Sequence, residues 1–296
     1  MTSPSLQTAA ISYRIGERPY DADLDLFGLT HRGRVRRENQ DHFLLATVHP
    51  QAVIHGTSLP AADGLLMRGE RLATLMLVAD GVGGGQAGSE ASRVASETIT
   101  RYVSSTLRCY HAAESEKEGA LQMLREGALE AHAAVLADAA SDPAHTGMAT
   151  TLTLALAVWP WAYVVQVGDS RCYHYRDGAL HRITRDQTIA QALVDKGALA
   201  AEDAERSPLH NVLASAIGGG EAMPEVSRLD IHERGCVLLL CSDGLTKHVR
   251  DEEIERLVRG MTSSEQLCRS LLDLALERGG TDNITILSGR ALPPAA

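Results

Sequence analysis

The order of strand-like and helix-like segments predicts an α+β fold with mostly antiparallel strands. Short β-rich runs come first, two helical segments follow, and a second group of strands precedes two more helices and a last strand. This order lacks the regular alternation of strand and helix that a doubly wound parallel sheet requires. Hydrophobic residues make up 44% of the 296 residues, so the chain can bury a sizeable core.

The first half of the chain is predicted to contain three strands and two helices. "DLFGLT" and "HFLLATV" flank a basic loop as strand candidates, and "TLMLVAD" has the continuous apolar character of a buried strand. Residues 49–71 hold two prolines and three glycines, which favours a long loop or a ragged hairpin. Apolar residues then recur at helical spacing, which predicts one helix that begins near Ala87 and a second over about 118–139.

The second half is predicted to contain more strands and the last two helices. The runs "ATTLTLALAV", "AYVVQV" and "RCYHY" are strand candidates, and an Asp177-Gly178 turn joins the last of them to "ALHRIT". Residues 186–224 are mixed and include a short helix that ends near Gly197. "CVLLLC" is a buried strand, "DEEIERLV" and "SEQLCRSLLDLALERG" are helices, and "NITILSG" is the last strand. Ser263 stands where a side chain can cap the second of these helices.

Bulk composition argues against several classes of function. The net charge of −10 disfavours a protein that binds nucleic acid through phosphate contacts. No run approaches the roughly 20 apolar residues of a membrane-spanning helix, and the N-terminus lacks the pattern of a secretory signal. The five cysteines are scattered and form no C-x-x-C pair, which predicts reduced thiols in a cytoplasmic protein.

The loop in "LVADGVGGGQAGSEAS" has the outline of a nucleotide site, because Gly83, Gly85 and Gly88 match G-x-G-x-x-G between a strand and a helix. A dinucleotide site also needs an acidic residue after a second parallel strand, and two helices follow here instead. Asp80 stands directly before the glycine-rich stretch and would repel a pyrophosphate. We therefore expect the glycine match to be incidental and the aspartate to be the functional residue.

Four apolar strands meet an aspartate at or next to one end: Asp80, Asp169, Asp243 and Asp282. A single aspartate in this position commonly caps a turn or a helix, so each of them alone says little about function. If the strand ends converge, however, four carboxylates lie close together, and their mutual repulsion favours a bound cation. Because carboxylate oxygens prefer hard divalent ions, the pattern predicts a Mg²⁺ or Mn²⁺ centre at the strand ends.

The basic loop "HRGRVRRENQD" supplies a candidate for phosphate binding. It contains Arg36 and ends at a fifth aspartate, Asp41. Taken alone, such a loop is most simply a solvated, charged turn. Beside a metal cluster, however, a guanidinium group can bind two phosphate oxygens at once, so Arg36 is a candidate phosphate ligand.

Six segments, in this order along the chain, resemble the metal-dependent protein phosphatases (type 2C serine/threonine phosphatases) in their compact bacterial form. They are "GRVRRENQD", "LVADGVGGGQAGSEAS", "MATTLTLAL", "VQVGDSRCYHYRDGALHRITRDQT", "LLLCSDGLTKHV" and "GGTDNITIL". The resemblance implies a four-layer αββα sandwich, in which two mainly antiparallel sheets are flanked by helices and the metal site lies at one end. It also implies one catalytic domain over residues 23–290 with a flap segment at 186–224, a flexible leader over 1–22 and a tail over 291–296.

The same resemblance implies roles for individual residues in a metal site. Asp80 would bridge two Mg²⁺ or Mn²⁺ ions and take part in catalysis, while the carbonyl of Gly81 would bind one of the ions. Asp243 and Asp282 would complete the shell of one ion. Asp169 matches an aspartate that, in the family, helps to hold a third and looser ion.

Other positions are implied to serve substrate binding or to support the metal site. Arg36 would act in catalysis by binding the substrate phosphate. Asp41 would belong to the metal site, with Gln40 in a supporting position where many relatives have glutamate. Val82 stands where animal members have a histidine suggested as general acid, so that role is unfilled here unless water or His42 takes it.

The function implied is hydrolysis of phosphoserine and phosphothreonine in proteins by a water activated between two Mg²⁺ or Mn²⁺ ions, without a covalent intermediate. The expected partners are phosphorylated proteins, including a cognate serine/threonine kinase and its targets, with no nucleic acid and no membrane. The protein is expected to be a cytoplasmic monomer. Two alternatives stay open, although the intact aspartate set disfavours the first: a catalytically weak regulatory relative that acts by binding a partner, and a phosphatase of small phosphomonoesters.

Overall fold

The computed structural model describes residues 18–51, 69–83, 86–110, 116–204 and 206–293. The strands in these ranges are β1 (Leu24–His31), β2 (Asp41–Val48), β3 (Ala73–Val82), β4 (Ala149–Thr150), β5 (Leu152–Val158), β6 (Trp161–Val167), β7 (Arg171–Arg176), β8 (Ala179–Arg182), β9 (Glu225–Asp230), β10 (Val237–Cys241) and β11 (Ile284–Ala291). The α-helices are α1 (Gln86–Tyr110), α2 (Glu116–Ser141), α3 (Ile189–Asp195), α4 (Ala201–Ala204), α5 (Asp243–Thr246), α6 (Asp251–Arg259) and α7 (Ser264–Glu277).

The strands form two antiparallel sheets. One sheet has the order β1-β11-β10-β7-β8, and the other has the order β2-β3-β5-β6-β9, with β4 paired to the end of β3. Helices α1 and α2 pack on the second sheet, and helices α6 and α7 pack on the first. The four layers are therefore helices, sheet, sheet and helices, and the predicted α+β sandwich is confirmed.

The uninterrupted apolar run of β3 is explained by burial of the strand on both faces. Leu75 and Leu77 belong to the core between this sheet and the helices α1 and α2. Met76 and Val78 belong to the core between the two sheets. Because neighbouring side chains of a strand point to opposite faces, a strand covered on both sides needs apolar residues at every position.

Most predicted elements are present, and one is divided. The turn at Asp177 and Gly178 has positive φ at both residues (54° and 79°), as a tight hairpin of this kind requires. The single strand predicted for "ATTLTLALAV" is wrong, because the run forms β4 and β5 with a break at Thr151. There the Thr151 hydroxyl accepts a hydrogen bond from the backbone N–H of Asp80 over 3.0 Å, and the Thr151 N–H donates to the Asp80 carbonyl over 2.9 Å.

The two ends of the predicted domain are only partly described. Residues 1–17 and 294–296 lie outside the described residues, as do residues 52–68 of the predicted long loop, so the predicted leader and tail are described only in part. At the end of the predicted leader, buried Arg71 donates to Asp21 over 2.6 Å and to the Pro19 carbonyl over 2.8 Å. The backbone N–H of Leu292 donates to the carbonyl of Asp23 over 2.7 Å, so these parts of the leader and tail are held against the sandwich.

Among the residues that the structure describes, no helix is both long and apolar enough to cross a bilayer. Their cysteines, Cys172, Cys236, Cys241 and Cys268, all have free thiols. The side chain of Cys109 lies outside this description.

Candidate metal and phosphate site

The strand register brings the first two aspartates together at one end of the sandwich. Asp41 is the first residue of β2, and it is the direct antiparallel partner of Asp80 in β3. Asp80 lies inside β3, two residues before the strand ends at Val82. Its carbonyl accepts hydrogen bonds from the Thr151 N–H and the Thr150 hydroxyl, both at 2.9 Å, which fix the backbone beside its carboxyl group.

Gly81 is required by close packing between β3 and the first turns of α1. A Cβ atom at this position would lie 2.5 Å from the carbonyl carbon of Gly88 and 2.7 Å from the carbonyl oxygen of Gln40. Ordinary contacts of a Cβ atom begin near 3.4 Å, so only glycine fits. The φ angle of Gly81 is not positive, which means that the absence of a side chain, and not a special backbone turn, explains this residue.

Asp41 is almost completely buried and is fixed by hydroxyl groups from the other sheet. It is 4% exposed, and its Oδ2 accepts hydrogen bonds from Ser242 Oγ (2.8 Å) and Thr285 Oγ1 (2.7 Å). Burial raises the pKa of Asp41 to about 6, although these two hydrogen bonds act in the opposite direction. Its Oδ1 is buried without a hydrogen-bond donor.

Asp243 and Asp282 lie next to two neighbouring inner strands of the other sheet, β10 and β11. Asp243 is the first residue of α5, two residues after β10 ends at Cys241, and Asp282 lies two residues before β11. The side chain of Asn283 accepts from the Gln40 N–H and donates to the carbonyls of Arg32 and Glu38. This amide therefore fastens both ends of the basic loop beside Asp282.

Two cationic side chains hold Asp282. Arg36 binds it with two contacts, Nε to Oδ1 at 2.7 Å and Nη2 to Oδ2 at 2.9 Å, and 54% of the Arg36 side chain remains exposed. Lys247 Nζ lies 2.7 Å from Asp282 Oδ2 and 2.5 Å from Asp243 Oδ2. Burial opposes ionisation of Asp282, but the hydrogen bonds from Arg36 and Lys247 outweigh it and lower the pKa of this carboxyl.

Asp169 lies near Asp243, in the turn between β6 and β7. It is 9% exposed, and burial together with the charge of Asp243 raises its pKa to about 8. Asp169, Asp243 and Lys247 line a cavity of about 490 Å³. His210 and Asn211 from the predicted flap segment line the same cavity.

The five carboxyl groups form one electrostatic cluster around Asp80. Burial raises the pKa of Asp80 well above its ordinary value of 3.8, and the charges of Asp41, Asp243, Asp169 and Asp282 raise it further. All the predicted aspartates therefore come together, although they are spread over more than two hundred positions of the chain. Such a cluster binds either protons or cations, because like charges at close range cannot all ionise unaided.

The donor set fits hard divalent cations. Its donors are carboxylate and carbonyl oxygens, which Mg²⁺ and Mn²⁺ prefer. Asp243 Oδ1 is buried without a hydrogen-bond partner, like Asp41 Oδ1, so two oxygens have unused capacity to bind a cation. Among the described residues, however, no three histidine, cysteine or acidic side chains are already arranged to hold one ion. Arg36 and Lys247 contact the oxygens of Asp282, and Lys247 contacts one oxygen of Asp243.

Three other predicted positions have different surroundings. The Gln40 side chain donates to the Gly83 carbonyl over 3.3 Å and packs on Gly88 of α1. Val82 is 40% exposed at the end of β3. His42 is hydrogen-bonded to Ser92 of α1 over 2.9 Å, on the face of β2 opposite to Asp41, so it is turned away from the carboxylates.

The sequence reasoning missed Lys247 and the polar residues that support the aspartates. Lys247 stands four residues after Asp243, and this spacing on a helix is a recognised signal for an ion pair. The roles of Ser242, Thr285 and Asn283 depend on contacts between distant elements. No local pattern of the sequence indicates those contacts.

A family comparison agrees with this arrangement. The sequence model described as Protein phosphatase 2C matches residues 55–277. The chain belongs to this family. The resemblance stated from the six segments is therefore confirmed.

Individual relatives extend the comparison. The chain is 35% identical to the serine/threonine protein phosphatase PstP of Mycobacterium tuberculosis over 216 residues, which are 73% of this chain and 40% of PstP. It is 30% identical to the serine/threonine phosphatase Stp of Listeria welshimeri over 259 residues, 87% of this chain and 92% of Stp. A solved structure of the PstP catalytic domain in complex with two manganese ions superposes with a TM-score of 0.70 and 28% identity, covering 91% of this chain and 99% of that domain. The chain thus spans less than half the length of PstP but nearly all of its solved catalytic domain.

Proposed function

We propose that this protein is a metal-dependent serine/threonine protein phosphatase. The observation that carries the proposal is the cluster of five buried or partly buried carboxyl groups around Asp80, with an exposed arginine at its rim. Family membership and the manganese-bound relative support the same chemistry. An active enzyme is favoured over a regulatory relative because all the aspartates of the cluster are retained.

In this proposal Asp80, Asp243 and Asp282 hold two Mn²⁺ or Mg²⁺ ions together with the carbonyl of Gly81. Asp41, through Oδ1, supports the same centre. When bound, the ions supply charge neutralisation of the phosphoryl group and a water that ionises near neutral pH. The bonds from Ser242 and Thr285 orient Asp41, and the packing of Gly81 against α1 fixes the backbone that presents Asp80.

Asp169 is proposed to assist a third, more weakly held ion. It lines the 490 Å³ cavity beside Asp243, and its raised pKa indicates a site where a bound cation would favour the ionised carboxyl. Gln40 is proposed to support the site through its packing under α1.

Arg36 is proposed to bind the substrate phosphate. Its guanidinium group already makes a two-point contact with the two oxygens of a carboxylate, and it can bind two oxygens of a phosphate in the same bidentate way. Its exposed fraction of 54% lets a phosphorylated side chain reach it from solvent. Neither Val82, which has no proton to give, nor His42, which faces α1, is suited to protonate the leaving alkoxide.

The substrates are proposed to be proteins phosphorylated on serine or threonine, among them a cognate kinase and its targets. The cavity lined by Arg171, His210 and Asn211 offers room beside the metal site for residues that flank the phosphorylated side chain. Monomeric state and cytoplasmic location stay predictions.

The test is hydrolysis of a phosphoserine peptide and of an aryl phosphate, each with Mn²⁺ and with excess chelator. Wild-type protein should hydrolyse the peptide only with metal, and Asp80→Asn should lose most of this activity. Asp273→Asn, at an exposed position of α7, is the matched control and should behave as wild type. Turnover in chelator, or full activity of Asp80→Asn, would refute the proposal. Hydrolysis of the aryl phosphate alone would instead favour a phosphatase of small phosphomonoesters.

A further inference from the structure

Lys247 contacts two of the proposed metal ligands although the metal chemistry gives it no role. It follows α5, one helical turn after Asp243. Its Nζ lies 2.5 Å from Asp243 Oδ2 and 2.7 Å from Asp282 Oδ2. The side chain is 23% exposed, so the ammonium is enclosed and is not an ordinary surface charge.

The ammonium group lies between two carboxylates that are distant in sequence, one at the start of α5 and one just before β11. A divalent ion shared by Asp243 and Asp282 would have Asp243 Oδ1 free to bind it, but at Asp282 it would compete with the ammonium for Oδ2. The remaining oxygen of Asp282 is also engaged, because Oδ1 accepts from Arg36 Nε and from the backbone N–H of Asn283. An ion can therefore reach Asp282 only if at least one of these donors moves away.

The ammonium contacts both carboxylates at hydrogen-bond distance, 2.5 Å from Asp243 Oδ2 and 2.7 Å from Asp282 Oδ2. A short, charge-assisted contact of this kind is among the stronger hydrogen bonds in proteins. Displacement of the ammonium therefore has a substantial cost, which any bound metal has to overcome.

We propose that Lys247 is an internal cation that competes with a metal ion for the carboxylates of Asp243 and Asp282. The inference rests on the proposed function, since it takes these two residues as metal ligands. In the absence of metal the ammonium neutralises the pair. When an ion binds, Lys247 moves into the adjoining cavity, which it already lines together with Asp169 and Thr246. The lysine thereby weakens this metal position relative to the other one, to which Asp80 and the carbonyl of Gly81 contribute.

The first test is a calorimetric titration of metal-stripped protein with MnCl₂. Lys247→Met keeps much of the side-chain volume and removes the charge, so the weaker class of sites should bind Mn²⁺ about tenfold or more tightly than in wild type. Lys247→Arg retains a cation and should stay close to wild type. Arg101→Met removes one positive charge at an exposed position of α1 and controls for net charge.

The outcomes separate the inference from the function on which it rests. Mn²⁺ affinity that is unchanged or weaker in Lys247→Met would overturn the competition. An absence of Mn²⁺ binding in wild type and variant alike would overturn the proposed function as well.

A second measurement needs no variant, because the chain has only three lysines, Lys117, Lys196 and Lys247. Acylation by an amine-reactive ester, followed by peptide mass spectrometry, reports each lysine separately. Lys196 is exposed and serves as the internal reference. Saturating Mn²⁺ should increase the labelling rate of Lys247 several-fold relative to Lys196, because the ammonium leaves the carboxylates. A ratio that Mn²⁺ leaves unchanged or lowers would overturn the proposal.

Discussion

Gly81 lies where β3 meets the first turns of α1, and its replacement by alanine tests how the metal-binding strand is positioned. The added methyl carbon would stand 2.5 Å from the Gly88 carbonyl carbon and 2.7 Å from the Gln40 carbonyl oxygen. Both neighbours are backbone atoms, so no side chain can rotate to make room. Since ordinary contacts begin near 3.4 Å, α1 or β2 has to move by about 1 Å relative to Asp80.

The cost of this movement can be bounded. Overpacking of a well-packed interior costs about 1–3 kcal/mol, and a clash with backbone belongs to the upper part of that range. For a chain of this size, each kcal/mol lowers the melting temperature by about 2–4 °C. Gly81→Ala should therefore lower the melting temperature by about 5–10 °C, and the displaced Asp80 should reduce metal-dependent activity.

The assay is thermal unfolding by circular dichroism, combined with phosphopeptide hydrolysis in Mn²⁺. Gly220→Ala is the matched control for stability, because its methyl group would meet no atom within 4 Å and its φ angle is not positive. If Gly81→Ala melts at the same temperature as Gly220→Ala and retains full activity, the packing argument for this residue is wrong.

Three further predictions concern charged and polar groups of the site. Arg36→Ala should raise KM for a phosphopeptide about tenfold or more and leave Mn²⁺ affinity unreduced. Arg37→Ala, at the exposed neighbouring position, is the control. Unchanged kinetics of Arg36→Ala would show that Arg36 does not bind the substrate phosphate. Metal-free protein should lose stability as pH rises, because folded Asp41 and Asp169 keep protons up to pH about 6 and about 8, whereas the unfolded chain releases them near 3.8. The stabilisation from these protons is complete below pH 3.8. As pH rises from there through the folded pKa it is lost, and each group contributes at most about 1.4 kcal/mol per pH unit to the loss. In urea unfolding, the free energy of unfolding of Asp169→Asn should fall less steeply with pH than that of wild type, up to pH about 8. A pH dependence parallel to that of wild type would contradict the raised pKa of Asp169. Thr285→Val removes the 2.7 Å hydrogen bond to Asp41 and should lower the free energy of unfolding in Mn²⁺ by about 1.5–3 kcal/mol, a loss that an unchanged urea midpoint would disprove.

The fold was predictable because its elements carry their own signals. The continuous apolar run of β3 and the Asp177-Gly178 turn have local physical causes, and the structure contains both. The break at Thr151 has no such local signal, and the residue that bonds to Thr151 there, Asp80, is seventy-one positions away. Short-range pattern predicts an element, but its exact limits depend on neighbours from elsewhere in the chain.

The candidate site was predictable to a similar degree. Carboxylates at the ends of buried strands indicated a shared cation, and the five aspartates do form one cluster around Asp80. The partners of those carboxylates were not predictable, because Arg36 reaches Asp282 across 246 positions and Thr285 reaches Asp41 across 244. Lys247 was the exception, since its spacing from Asp243 was a local signal.

The central claim is that Asp80, Asp243 and Asp282 hold two divalent ions at the end of the sandwich. Crystals grown with MnCl₂ and measured near the manganese absorption edge test it directly, because anomalous scattering locates each ion without reference to activity. The account predicts two strong peaks among the carboxylates of these residues, and their loss in crystals of Asp80→Asn. Anomalous peaks elsewhere, or a wild-type site that stays free of manganese with Lys247 still on Asp243 and Asp282, would contradict it.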